Sequence, residues 1–311
     1  TIDFCENATF TVDDSGNVWC LGKLELSRNF TENISVYSLQ EPSDNCLQIT
    51  QNPISIVDIS CGNENWVGVD SNGRVWGIGN NTRCNLGIST LLGFPKWISE
   101  ITRIPVPSRV IFVCCGTGHT ICIDNSNRVY GFGDNSEYQI GLNHGFRKGY
   151  CVKKPTLIPG LYSIVSIACG DKHSFFLKSD GQVYVCGSNE SGRLGMGDIR
   201  KKIYSPFPHP SLTSIKIIRC KERIFFASTI NDEIISLGYD GYTPNIIPIP
   251  VTSEIEDILC GNWRVVVKEK NGNLWGMNVT TVNYYNLLIL SSLGIQENNI
   301  FQKLKTPPGD C

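Results

Sequence analysis

The chain is 311 residues long, 41% hydrophobic, 10% aromatic and only 18% charged, and its 27 Lys+Arg against 29 Asp+Glu give a net charge of −2. That apolar content over that length builds a substantial core and excludes a disordered chain, and the near-neutral balance gives no general attraction for nucleic acid. No run of 18 apolar residues occurs, so no membrane-spanning helix is predicted, and Thr1 is not followed by a basic-then-apolar leader, so no secretion signal is expected.

Six windows of one pattern follow each other along the chain. ENATFTVDDSGNVWCLG begins at Glu6, NENWVGVDSNGRVWGIG at Asn63 and TGHTICIDNSNRVYGFG at Thr117. DKHSFFLKSDGQVYVCG begins at Asp171, ERIFFASTINDEIISLG at Glu222 and NWRVVVKEKNGNLWGMN at Asn262. They align without a gap, with starts 57, 54, 54, 51 and 40 residues apart. Each window predicts a β-hairpin. The first strand carries Phe10, Val67, Ile121, Phe175, Phe226 or Val266, and the turn carries Gly16, Gly73, Gly181 or Gly272 at one position. Asn127 and Asp232 stand there in the other two, the residue types that next best tolerate positive φ. A second strand opens with Val, Ile or Leu, a large side chain follows, and Gly22, Gly79, Gly133, Gly187 and Gly238 close five of the six windows.

A lone hairpin cannot bury its apolar face in water. Ahead of four windows lie further β-branched stretches ending in Cys-Gly: SIVDISCG (55–62), VIFVCCG (110–116), SIVSIACG (163–170) and EIEDILCG (254–261). Four short strands in about 50 residues is the arithmetic of a β-propeller blade. The sequence therefore predicts an all-β fold: one β-propeller domain over 1–311, with blades at approximately 1–54, 55–109, 110–162, 163–214, 215–253 and 254–311. Thr1–Cys5 resembles an inner strand and Asn299–Lys305 an outer one, so the ring is expected to close by pairing of the N- and C-terminal strands, with the first blade shared between them.

The order Cys-Gly-x-x-His, apolar strand, Asp-Gly turn, Val-Tyr/Trp, Gly-x-Asn and Gly-x-Leu-Gly, met most fully in Cys169–Asp198, resembles the repeat of the regulator of chromosome condensation family. Arg83–Gly87 and Glu137–Gly141 keep the trailing Leu-Gly or Ile-Gly, and Leu293-Gly294 is similar to a remnant of it. The resemblance covers essentially the whole chain. It departs from the family in two ways: the family norm is seven blades against six here, and the repeat at 222–259 is degenerate, with Lys221 in place of the expected Gly.

The repeat explains residues that would otherwise suggest a site. Five of the 14 cysteines, Cys61, Cys115, Cys169, Cys220 and Cys260, share one repeat position, which predicts small buried side chains of an inner strand and not disulfides. No Cys-x-x-Cys occurs, so no structural zinc site is expected, and a reducing, intracellular compartment (cytoplasmic or nuclear) fits this cysteine usage. Six Asn-x-Ser/Thr sequons, at Asn7, Asn29, Asn33, Asn80, Asn189 and Asn278, are discounted in a chain this rich in those residues. His119 and His173 also share one position and read as structural, whereas His144 and His209 fall in loops and read as freer. The Gly187–Gly197 stretch lacks the Gly-Lys-Ser/Thr ending of a phosphate loop. No catalytic residue, metal site or cofactor is predicted.

What remains for function lies in the unlike inserts, 88–107, 142–159 and 198–210, with large rings at Trp97, Tyr150, Tyr204 and Phe207. Residues 142–223 carry 14 Lys+Arg less 5 Asp+Glu, a net of +9, and the rest 13 less 24, a net of −11. Arg147, Lys148, Lys153, Lys154, Arg200, Lys201 and Lys202 concentrate in two of the inserts and, with Trp97 and Tyr150, form the expected docking surface for an acidic or phosphate-bearing partner. Nucleic acid is not favoured, because the basic inserts lack regular aromatic spacing. The resemblance implies regulation or recruitment of a small GTPase of the Ran type by a non-enzymatic interaction platform. It leaves open true guanine-nucleotide exchange, by a wedge over 142–152 without a covalent catalytic residue, and a structural or ubiquitin-pathway adaptor.

Overall fold

A computed structural model describes residues 2–4, 8–22, 46–48, 54–89, 95–143, 150–197, 200–238, 244–247, 249–260, 264–278 and 302–303. Among these the secondary structure is strand apart from one short 3-10 turn, Glu190–Gly192. The chain divides into two compact units, Thr1–Ile164 and Val165–Cys311.

The first unit holds three four-stranded antiparallel sheets, each a meander of consecutive strands. The first sheet is β1 (Ile2–Phe4), β2 (Ala8–Val12), β3 (Val18–Gly22) and β4 (Cys46–Gln48). The second is β5 (Ile56–Cys61), β6 (Asn65–Asp70), β7 (Val75–Asn80) and β8 (Trp97–Ile104), and the third is β9 (Val110–Cys115), β10 (His119–Asp124), β11 (Val129–Asp134) and β12 (Cys151–Leu157). In the second unit, the fourth sheet is β13 (Ile164–Cys169), β14 (His173–Lys178), β15 (Val183–Ser188) and β16 (Lys202–Pro208). The fifth is β17 (Ile215–Lys221), β18 (Ile224–Thr229), β19 (Ile234–Leu237) and β20 (Asn245–Ile247), and the sixth is β21 (Ile255–Cys260), β22 (Arg264–Glu269), β23 (Leu274–Asn278) and β24 (Gln302–Lys303).

The predicted hairpins are β2–β3, β6–β7, β10–β11, β14–β15, β18–β19 and β22–β23. Their turns have positive φ where the sequence requires it: Gly16, Gly73, Gly181 and Gly272 at +76° to +85°, Asn127 at +59° and Asp232 at +61°. Gly133, which closes the third window, combines φ +105° with a tight approach, since a Cβ there would lie 2.6 Å from the Gly118 carbonyl oxygen.

The outer strands account for part of what the sequence presents as inserts. Residues 97–104, 151–157 and 202–208 form β8, β12 and β16, so Trp97, Tyr204 and Phe207 stand on strands and not in loops. Half-exposed outer strands carry polar residues and prolines, and β12 and β16 contain Pro155 and Pro206. At the termini, Ile2–Phe4 is the inner strand of the first sheet as expected. That sheet takes its outer strand from Cys46–Gln48, and Gln302–Lys303 is the outer strand of the sixth sheet instead.

In each unit the core lies between successive sheets. Phe10, Ile56, Trp66 and Ile78 fill one layer of the first unit, and Val67, Val75, Val113 and Phe132 the next. In the second unit Phe175 stacks on Phe225 with centroids 4.0 Å apart, and Phe226, Ile255, Val265 and Trp275 form the following layer. Inner strands are also stitched by hydrogen bonds. Cys115 N–H donates to Ser60 Oγ at 2.9 Å, while the Ser60 hydroxyl and Cys61 N–H both donate to the Asp3 carboxylate. Within the second unit Arg219 on β17 pairs with Asp257 on β21 at 2.5 Å.

Candidate functional site

The chemistry of the basic inserts begins at their roots, where three buried asparagines perform the same task. Asn81, Asn135 and Asn189 each lie two residues past a window-closing glycine. Each Asn side-chain oxygen accepts the N–H of the Leu or Ile five residues on: Leu86, Ile140 and Leu194, all at 3.0 Å. Each amide nitrogen donates into the connection to the outer strand. Asn81 binds the carbonyls of Ile88 (3.1 Å) and Pro95 (2.8 Å), Asn135 that of Leu142 (2.7 Å) and Asn189 that of Arg200 (2.8 Å). Their main-chain N–H groups donate to Lys96, Tyr150 and Lys201 carbonyls. One side chain thus fixes both the Leu/Ile-Gly loop and the root of the insert beside it. The Gly-x-Asn element is legible in the sequence, but its clamping role is not. Its occupation of the Asn189 amide also leaves that sequon buried, while Asn7, Asn29 and Asn33 lie outside the described residues.

Beyond these roots the basic residues are placed separately in the two units. In the first, Lys153 and Lys154 are adjacent and exposed on β12, and Tyr150 and Trp97 are half-buried just before β12 and at the start of β8. In the second, Arg200 and Lys201 are exposed, Lys202 is half-buried, and the Arg200 guanidinium lies 5.4 Å from the centroid of the Phe207 ring. Tyr204 and Phe207 are both more than two-fifths exposed on the same strand. Arg147, Lys148 and His144 lie outside the described residues.

The other charged side chains near these segments are scaffolding. Turn carboxylates organise several hairpins: Asp70 accepts the N–H groups of Asn72 and Arg74, the Arg74 guanidinium and Trp76 Nε1, and Asp124 holds Ser126 and Arg128 in the same way. Burial raises the pKa of each of these acids, and the hydrogen bonds outweigh it, so both stay below the usual carboxylate range. This Asp-x-x-x-Arg-x-aromatic spacing is visible in two windows of the sequence, but its role in fixing the turn emerges only from the structure. Burial pushes the Cys115, Cys122 and Cys186 thiols up, away from nucleophile chemistry. The ten cysteines from Cys61 to Cys260 are free thiols. His119 and His173 are buried, as their repeat position predicts. His209 is also buried, contrary to its expected loop freedom. Its Nε2 binds the Leu194 carbonyl at 2.9 Å, its Nδ1 accepts the Ser211 and Leu212 N–H groups, and burial lowers its pKa to about 4. No group of three or more His, Cys, Asp or Glu that could hold a metal occurs among the described residues. No helix among them is long and apolar enough to cross a membrane.

Comparison with known proteins agrees with the repeat pattern. Regulator of chromosome condensation (RCC1) repeat models match residues 72–123, 126–177 and 180–221, and a second model of that repeat matches 110–139 and 164–193. The RCC1-like G exchanging factor-like protein of Mus musculus is 22% identical over 250 residues, covering 66% of this chain and 51% of that protein. The probable E3 ubiquitin-protein ligase HERC6 of Homo sapiens is 29% identical over 165 residues, 51% of this chain and 15% of that protein. The chain thus spans about half of the one relative's length and much less of the other's. The crystal structure of Prp20p from Saccharomyces cerevisiae, described with its binding to Gsp1p and histones, superposes with a TM-score of 0.72 at 16% identity over 98% of this chain and 76% of that one. At that identity the likeness carries the fold alone: an all-β fold of the propeller class, with six four-stranded blades among the described residues.

Proposed function

Because the chain carries repeats of the regulator of chromosome condensation family, we propose that it is a non-enzymatic protein–protein interaction platform that regulates or recruits a small GTPase of the Ran type through its blade inserts. The observation that carries this reading is the exposure of Lys153, Lys154, Arg200 and Lys201 at insert roots that buried asparagines hold rigid. Fixed roots lower the entropy cost of docking, and exposed cations steer an acidic partner. The likeness to the RCC1-like G exchanging factor-like protein of Mus musculus supports a GTPase as that partner. The free thiols support a reducing, intracellular compartment.

The same relatives favour a second reading, true guanine-nucleotide exchange. Such an exchanger displaces nucleotide by wedging its pocket open and needs no acid, base or nucleophile. The likeness to a ubiquitin ligase supports an adaptor as a third. Release of labelled GDP from purified Ran separates them. Accelerated release at catalytic amounts of this protein identifies an exchanger, and stoichiometric binding without acceleration identifies the platform. Absence of both, with recovery of ubiquitin-pathway proteins, identifies the adaptor.

A further inference from the structure

Among the cysteines outside the shared repeat position, two meet each other. Cys84 lies in the Leu-Gly loop of the second sheet, where the next two repeats have Tyr138 and Gly192. Cys151 opens β12, where the neighbouring outer strands open with Trp97 and Lys202. The scaffold therefore asks for cysteine at neither place. Yet the two sulfurs are 2.6 Å apart although 67 residues separate them in sequence. That separation is well inside the roughly 3.5–4 Å of ordinary non-bonded contact and approaches the roughly 2.05 Å of a disulfide.

The approach is held by more than one rotamer. Arg83, beside Cys84, pairs with the Asp134 carboxylate at 3.2 Å, and Asp134 is the cross-strand partner of Cys151. The Asn85 carbonyl accepts the Thr120 hydroxyl at 2.8 Å. Gly87 lies so close to Phe132 and Pro155 that no Cβ fits between them. The loop of one sheet is thus seated on the next, and the two thiols face each other across that seat. Cys84 is fully buried and Cys151 is partly exposed, which gives them different roles.

We propose that Cys84 and Cys151 form a reversible disulfide that fastens the start of β12, within the 142–159 insert, to the loop of the preceding sheet, with a low-molecular-weight disulfide as oxidant. The Cys151 thiolate attacks one sulfur of the small disulfide and expels a small thiolate, leaving a mixed disulfide on Cys151. The Cys84 thiolate then attacks the Cys151 sulfur, forms the intramolecular S–S bond and expels the second small thiolate. Two protein thiols lose two protons and two electrons, and one small disulfide becomes two small thiols. The Cys84 sulfur already lies 2.6 Å from that of Cys151, which places it for the second, intramolecular attack; burial raises the Cys84 pKa and keeps it from reacting first with solvent oxidants. The disulfide stands whatever partner the insert binds. If the insert binds a partner as proposed above, the bond sets how far its root can yield.

Non-reducing peptide mapping of the folded chain tests this after equilibration with oxidised or reduced glutathione. In excess oxidised glutathione, a peptide containing Cys84 is expected to be cross-linked to one containing Cys151, with both thiols protected from alkylation; reduced glutathione reverses this. Cys84→Ser is expected to leave Cys151 as a glutathione adduct, and Cys151→Ser to leave Cys84 unmodified. The proposal is overturned if the wild-type map shows both thiols free in oxidised buffer. It is equally overturned by a persistent glutathione adduct on wild-type Cys151, or by a cross-link from either cysteine to a third one. The wild-type map decides the pairing even if a serine variant fails to fold.

Discussion

The side-chain amide of Asn135 donates to the Leu142 carbonyl at 2.7 Å while its oxygen accepts the Ile140 N–H at 3.0 Å, so one buried residue ties a loop to the insert that follows it. Asn135→Ala strands both main-chain groups, each at a cost of about 1–3 kcal/mol when left without a partner. The expected result is a loss of about 2–4 kcal/mol in chemical denaturation. A midpoint unchanged from wild type would show that the insert root is held by other contacts.

His209 places a pH dependence in the fourth sheet. Its pKa is about 4 in the folded chain, below the ordinary 6.5, because burial disfavours the imidazolium. Between these values the unfolded chain binds a proton that the folded chain refuses, so stability falls as pH drops from about 6.5 towards 4. The shift sets an upper bound of about 3 kcal/mol on this loss. His209→Gln is expected to flatten the slope of stability against pH in that window. An identical slope in the variant would remove His209 as its source.

His209 also shows where the sequence stops being legible. A histidine between two prolines, His209 in Pro208–Pro210, looks like exposed loop. Its burial depends on the Leu194 carbonyl and the Ser211 and Leu212 N–H groups folding round it, which no local pattern encodes. The hairpin turns are legible because positive φ restricts the residue type, and Asn127 and Asp232 obey that constraint as the glycines do. The repeat-position cysteines are legible for a related reason, since a recurring register fixes which face they occupy. Cys84 and Cys151 are not legible, because their meeting depends on how one sheet packs on the next.

Asp58 on β5 carries a charge that the fold disfavours. Burial raises its pKa to about 6, the Ile59 and Val113 N–H groups partly oppose this, and nearby Asp3 adds to it. The folded chain therefore binds a proton more readily than the unfolded one between pH 3.8 and about 6, and stability declines as pH rises through that window. Asp58→Asn keeps an oxygen for the N–H groups without the charge. It is expected to raise Tm at pH 7 by about 2–4 °C and to have little effect near pH 4. A variant that is destabilised at pH 7 would mean that the carboxylate charge is needed in the folded chain.

Charge reversal isolates the docking surface from the fold. Lys153 and Lys154 are exposed on β12, and Arg200 and Lys201 at the root of β16, so replacing them with glutamate leaves the core layers untouched. Surface substitutions of this kind change stability by about 0.5 kcal/mol or less each, so the variants should melt close to wild type. If the cations steer an acidic partner, association of wild type should slow as salt rises over a Debye length of about 8–10 Å. The Lys153→Glu, Lys154→Glu double variant and the Arg200→Glu, Lys201→Glu double variant should then each bind more weakly, mainly through a slower on-rate. Surface plasmon resonance against Ran at several salt concentrations reads both effects. Unchanged on-rates in both variants, with wild-type melting, would move the docking surface off these strands and onto another part of the chain.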